Sequence, residues 1–139
     1  MNSVTILALH LGVVIWLGAC AVWDVRFQEV SNWLTLPALL LGLIYSLTQG
    51  WNALLQVAVA GIIFILVWLF GGMGGADVKV IITLLCLWPL SFVSGLVLSV
   101  LWAVGVWIKN GRRKTYPGIP PLAIGAGLAL VWEGFLFFK

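Results

Sequence analysis

The sequence predicts an all-α integral membrane protein of six transmembrane helices, with helix 4 short. Three observations lead there. Of the 139 residues, 63% are hydrophobic and only 8% are charged, against about a quarter charged in a soluble domain. The apolar residues fall into runs of helical length, of the order of the ~20 residues that cross a bilayer, separated by polar or glycine-rich breaks. Six tryptophans, Trp23, Trp33, Trp51, Trp68, Trp88 and Trp107, stand near the ends of those runs, where an aromatic belt would place them. Six spans use nearly the whole chain, so residues 1–139 are expected to form a single membrane-embedded domain.

Helix 1 is expected from Ser3 to Trp23. No basic segment precedes it, and the first cation, Arg26, follows the apolar run, so it reads as a retained helix rather than a secretory signal. A polar connector, Asp24 to Asn32, leads to helix 2, Trp33 to Thr48, with Pro37 near its first turn, where proline costs little. Gln49-Gly50 makes a tight turn into helix 3, Trp51 to Phe70. The run Gly71 to Gly75 is expected to stay out of helix, since each glycine costs about 1 kcal/mol there against alanine. One helix from Val80 to Ile108 would be about 43 Å long, more than a hydrocarbon core of roughly 30 Å requires. Trp88-Pro89 divides it into a short helix 4, Asp77 to Trp88, and a full helix 5, Leu90 to Ile108. Helix 6 runs from Ile119 to Phe138, with Pro120 and Pro121 in its first turn.

Charge sets the expected orientation. The net charge of +3 comes largely from Lys109, Arg112, Arg113 and Lys114. A juxtamembrane cluster of this kind marks the cytoplasmic side and anionic membrane lipid rather than nucleic acid. With six helices, six of the seven Lys and Arg residues fall on one side, leaving Lys139 on the other. That side is then cytoplasmic and both termini lie outside. A multi-pass protein of the inner (cytoplasmic) membrane is the expectation. Cys20 and Cys86 form no C-x-x-C pair and sit in apolar runs, which reads as two small buried side chains. No metal-ligand cluster is visible, and no cofactor is expected.

The only two aspartates are Asp24 and Asp77. Each stands where an apolar run meets a polar break, in Trp23-Asp24-Val25-Arg26 and in Gly72-Met73-Gly74-Gly75-Ala76-Asp77-Val78-Lys79. Carboxylates at such positions are costly and point to function. On the six-helix topology both lie at the same face. Two neighbouring carboxylates do not both ionise readily. One then serves as general base on a water and the other donates to a scissile carbonyl oxygen, which is peptide hydrolysis without a metal. The glycines before Asp77 allow close backbone approach by an extended substrate. The residues alone leave another reading open. An interfacial Asp also caps a helix or pairs with a nearby cation, here Arg26 or Lys79. The chain would then be a small transporter or assembly subunit with structural acids.

The flanking residues favour the first reading. Asp24 to Pro37, with Ser31-Asn32-Trp33-Leu34-Thr35, resembles the first signature of the type IV prepilin leader peptidases, an Asp followed after about six residues by an Ile-Pro-Asn-like element and Leu-Thr. Gly72 to Lys79 resembles the second, Gly-x-Gly-Asp followed by x-Lys. Pro117 to Gly125 is similar to the family's C-terminal proline-glycine segment. The resemblance implies a six-helix intramembrane aspartic peptidase with Asp24 and Asp77 as its catalytic pair. It also implies a prepilin-like or preflagellin-like protein substrate, cut after its short basic leader at the cytoplasmic face. Ala76 replaces the glycine before the second Asp, and Ser31 stands where proline is common. Family members that also N-methylate their product carry paired C-x-x-C motifs. This chain has none, so the resemblance is to the minimal, peptidase-only form. The presenilin and signal-peptide-peptidase kind shares a glycine-aspartate motif but sets its first Asp in a different helical context.

The remaining polar residues have smaller expected parts. Gly72, Gly74, Gly75 and Ala76 shape the loop before Asp77. Lys79 either snorkels to lipid phosphate or acts on a nearby Asp. Glu29 either attracts a basic leader or is a solvated loop charge. Asn32 either caps helix 2 or orders the catalytic loop. His10 and Glu133 read as structural groups inside the bundle. The oligomeric state, the pilus or secretion system served and the cleavage site are not written in the sequence.

Overall fold

The computed structural model describes residues 3–70, 73–110 and 118–137, and these residues are all helix, turn or short connection. Six helices follow in order: α1 (Ser3–Phe27), α2 (Asn32–Gln49), α3 (Trp51–Leu69), α4 (Gly75–Leu87), α5 (Pro89–Asn110) and α6 (Ile119–Phe137). Three stretches, Val4–Phe27, Trp51–Leu69 and Pro89–Val106, are long and apolar enough to cross a membrane. The expected basic loop at Arg112, Arg113 and Lys114, and Gly71 and Gly72, lie outside the described residues.

Several boundaries differ from expectation, each for a local reason. Helix α1 runs four residues past Trp23, so Asp24 lies in its last turn rather than in a connector. The stop comes at Gln28, which takes a left-handed φ of 54° while its N–H donates to the Asp24 carbonyl at 2.8 Å. Arg26 in that last turn complements the negative end of the helix. Helix α2 begins at Asn32, which moves Pro37 to the second turn. Ser31 caps it, accepting from the Trp33 N–H at 3.3 Å, so Asn32 is not the cap. Helix α4 begins at Gly75, two residues before Asp77, with Gly74 as its cap residue. At its far end Trp88 is extended (φ −158°, ψ 83°), as the residue before a proline must be. Pro89 then opens α5, where its missing N–H costs nothing. Between α2 and α3, Gly50 at φ 100° supplies the left-handed joint.

The chain forms two compact units. In the first, Met1–Gln28 with Leu90–Lys139, α1 and α6 pack antiparallel along a matched seam. On α1 the buried positions are His10, Val13, Leu17, Cys20 and Asp24; on α6 they include Ile119, Leu122, Ala126 and Ala129. Both sets step by three and four residues, the spacing of one helix face. Helices α5 and α6 meet backbone to backbone. A Cβ placed on Gly125 would lie 2.4 Å from the Gly95 Cα, and the Ser94 hydroxyl donates to the Gly125 carbonyl at 2.9 Å. Small residues that admit such approach are how helices associate in lipid.

The second unit is Glu29–Pro89. Helix α3 packs on both α2 and α4, and α2 and α4 run parallel. Asn32 meets Lys79 near their starts, and ten residues further along α2 and seven along α4, Gly42 meets Cys86. A Cβ on Gly42 would lie 3.0 Å from the Cys86 Cβ. Thr35, Gly42 and Ser46 of α2 and Thr83 and Cys86 of α4 are buried, so this seam is built of small and polar side chains. Both cysteines are free and buried, as expected.

Large apolar side chains mostly face outward, among them Ile15, Trp33, Leu41, Ile62, Phe70 and Trp132. That is the inverse of a soluble domain and suits a chain whose surroundings are lipid. Of the expected belt, Trp23, Trp33, Trp51 and Trp68 are exposed, but Trp88 is only 2% exposed. The proline break turns Trp88 into the core, so it is not a belt residue.

Candidate active site

Asp24 is 8% exposed. Its Oδ2 accepts the backbone N–H of Ile119 at 3.1 Å, in a buried setting. Ile119 is the first residue of α6, and Pro120 and Pro121 follow it. The first turn of a helix leaves its N–H groups without internal partners, and the two prolines remove two of those donors. Ile119 is therefore the single N–H in the first three residues of α6, and Asp24 receives it. The positive end of the helix adds a favourable field at that carboxylate.

Asp77 is half-buried in the first turn of α4. Its carboxylate turns back over Gly74. A Cβ on Gly74 would lie 3.1 Å from Asp77 Oδ2. Gly75 has ordinary room beside the Trp68 indole, at 3.4 Å. Ala76 lies inside α4 and is not among the residues with positive φ. Nothing in its backbone conformation requires glycine, so this departure from the family pattern is locally accommodated.

Two residues after Asp77, Lys79 Nζ donates to Asn32 Oδ1 at 2.5 Å, a partner that neither lipid nor aspartate supplies. Asn32 is thus the link between α2 and α4 rather than a cap. Glu29 is exposed in the connection before α2. His10 Nδ1 and Glu133 Oε2 are 2.6 Å apart, which joins two residues expected separately to be structural. Asp24, His10 and Glu133 belong to the first unit; Glu29, Asn32, Gly74, Gly75, Ala76, Asp77 and Lys79 belong to the second.

Among the described residues no group of three or more His, Cys, Asp or Glu could hold a metal ion. A groove of about 610 Å³ between α5 and α6 is lined by Leu98, Trp102, Gly105, Pro121 and neighbouring apolar residues. It offers no titratable side chain for chemistry.

Two contacts could not be found by reading motifs. The Ile119 N–H is a backbone group, and its only trace in the sequence is the Ile-Pro-Pro start of α6. The Ser31 cap was hidden because Asn32, an equally good capping residue, stands beside it.

These features define a helical membrane protein with one buried carboxylate in the last turn of α1 and another carboxylate in the first turn of α4. Residues 11–109 match the type IV leader peptidase family. The chain belongs to that family, and a leader-peptidase-like activity goes with it. Both aspartates lie inside the matched residues; the segment from Pro117 to Gly125 lies beyond them. No curated protein and no solved structure matches the chain.

Proposed function

We propose that the chain is an intramembrane aspartic endopeptidase that removes a short basic leader from a type IV prepilin-like or preflagellin-like precursor at the cytoplasmic face. The observation that carries this reading is the position of its only two aspartates. Both fall within the residues matched to the family, one closing α1 and one opening α4. In this reading Asp24 and Asp77 share a proton. The ionised carboxylate takes a proton from water as the water attacks the scissile carbonyl, and the protonated one donates to the carbonyl oxygen. No metal, nucleotide or methyl donor takes part, and the enzyme is the peptidase-only form.

The same reading has six spans, a cytoplasmic site and both termini outside. It is a single membrane-embedded domain in the inner membrane. Helix α4, 13 residues long, reaches about 20 Å, so one of its ends sits below the membrane surface beside water. The substrate places its apolar helix in the bilayer and its leader at the cytoplasmic mouth. Gly74, where an added Cβ would lie 3.1 Å from Asp77 Oδ2, leaves little room there, so a small residue before the cut is required.

A second reading draws on the Asp24–Ile119 bond, since a carboxylate that caps a helix is a sufficient structural role. Asparagine separates the two. Asp24→Asn keeps an oxygen to accept the Ile119 N–H but ends proton sharing. The test is co-expression with a prepilin-like substrate, read as a mass loss equal to the leader. Asp24→Asn and Asp77→Asn should each accumulate in the membrane and cleave nothing. Full cleavage by either purified variant would leave the structural reading in place.

A further inference from the structure

The seam between α1 and α6 carries a polar contact at each end. His10 bonds Glu133 at one end, and Asp24 bonds the Ile119 N–H at the other. Fourteen residues separate His10 from Asp24 along α1, and fourteen separate Ile119 from Glu133 along α6. In antiparallel helices of equal rise, both contacts therefore belong to one register, about 21 Å apart.

Between them the buried residues of α1 are apolar. Val13, Leu17 and Cys20 lie on the α1 side, and the buried positions of α6 over the same stretch include Leu122, Ala126 and Ala129. Apolar packing of this kind carries no directional bond, and lipid provides no hydrophobic force to lock it. A slip of one turn would carry Asp24 about 5.4 Å along α6 and off the Ile119 N–H. Buried polar pairs are best attested as devices that fix register.

We propose that His10 and Glu133 are positioning residues for Asp24: their bond sets the register of α1 on α6 and so delivers the Asp24 carboxylate to the Ile119 N–H. The catalytic importance of that delivery rests on the aspartic-peptidase reading; the register itself does not.

Two readouts keep these apart. The first is hydrogen exchange at the Ile119 amide, which is simple to follow because Pro120 and Pro121 carry no amide hydrogen. The second is leader cleavage, resolved into kcat and KM. Glu133→Ala should speed exchange at Ile119 at least several-fold and lower kcat by on the order of ten- to a hundred-fold, as expected for a misplaced catalytic group. KM should stay within about two-fold, because the substrate contacts are untouched. The exchanged pair, His10→Glu with Glu133→His, should restore both values, which a general loss of packing would not do. If Glu133→Ala does not accumulate, Glu133→Asp is read in the same way, since it keeps the carboxyl group and withdraws it by one methylene. Parental exchange at Ile119 together with parental kcat in the variant that accumulates would overturn the proposal. Faster exchange in a protein that still cleaves as Asp24→Asn would uphold the register and remove the aspartic reading instead.

Discussion

Lys79 donates to Asn32 across the α2–α4 pair, and so ties the residue two places after Asp77 to the first residue of α2. The bond joins the two stretches that carry the family resemblance, and it holds the start of α4 against the start of α2. Because it is exposed to water, its contribution to stability is expected to be about 1 kcal/mol or less. Asn32→Ala, Lys79→Ala and the double variant, unfolded thermally in one detergent, should show a coupling of that size. Cleavage should fall further than stability does, since the first turn of α4 carries Asp77. Additive stabilities and unchanged cleavage would remove this role.

Gly42 has no spare room. Its Cβ would lie 3.0 Å from the Cys86 Cβ and 3.6 Å from the Thr83 carbonyl, and neither neighbour is the far end of a flexible chain. Gly42→Ala should destabilise the second unit by about 1–3 kcal/mol, the usual cost of overpacking. Adding Cys86→Gly, which removes the opposing Cβ, should recover part of it. Thermal unfolding of the single and double variants measures both effects.

Gly125→Ala should be worse. Here the obstacle is backbone, with the Gly95 Cα at 2.4 Å and its nitrogen at 2.5 Å, so α5 and α6 must separate. Gly127, two residues on, meets nothing within 4 Å. Gly127→Ala should be neutral or gain up to about 1 kcal/mol from helix propensity. Membrane accumulation of the two alanine variants, side by side, distinguishes them.

Gly74→Ala should damage activity more than stability, because the new methyl meets Asp77 Oδ2 at 3.1 Å. A carboxylate moved by even part of an ångström costs rate steeply, and a loss on the order of ten-fold or more in kcat is expected. Ala76→Gly, which brings the chain to the family pattern, should leave cleavage within about two-fold and cost about 1 kcal/mol of helix stability. Kinetics and unfolding on the same preparations decide both.

Cleavage should be indifferent to chelators. The reading assigns every proton transfer to two carboxylates and none to a metal-bound water. Activity lost in chelator and regained with zinc would contradict it.

The sequence made the helices legible because lipid imposes long apolar runs, and Gly50, Trp88-Pro89 and Ile-Pro-Pro punctuate them. The ends were harder to read. Asp24 looks like a loop residue by polarity, yet it lies inside α1 because Gln28, rather than Asp24, adopts the terminating left-handed φ. Trp88 looks like a belt residue by position, yet its extended backbone before Pro89 accompanies a buried side chain. The aspartates stood out because charge is rare in this chain. Their surroundings did not, because the Ile119 donor is main chain and the Lys79–Asn32 pair spans 47 residues. Periodicity within one helix reports which face is buried, not which partner it meets.

The outward-facing large side chains have a thermal consequence. Taking this fold apart within its membrane transfers little apolar surface to water, and apolar exposure to water is what gives unfolding its large heat-capacity change. The change here should be small for a chain of this length. Stability should then fall almost linearly on warming rather than pass through a dome, and cooling should not weaken the fold as it weakens proteins held by an interior of large apolar groups.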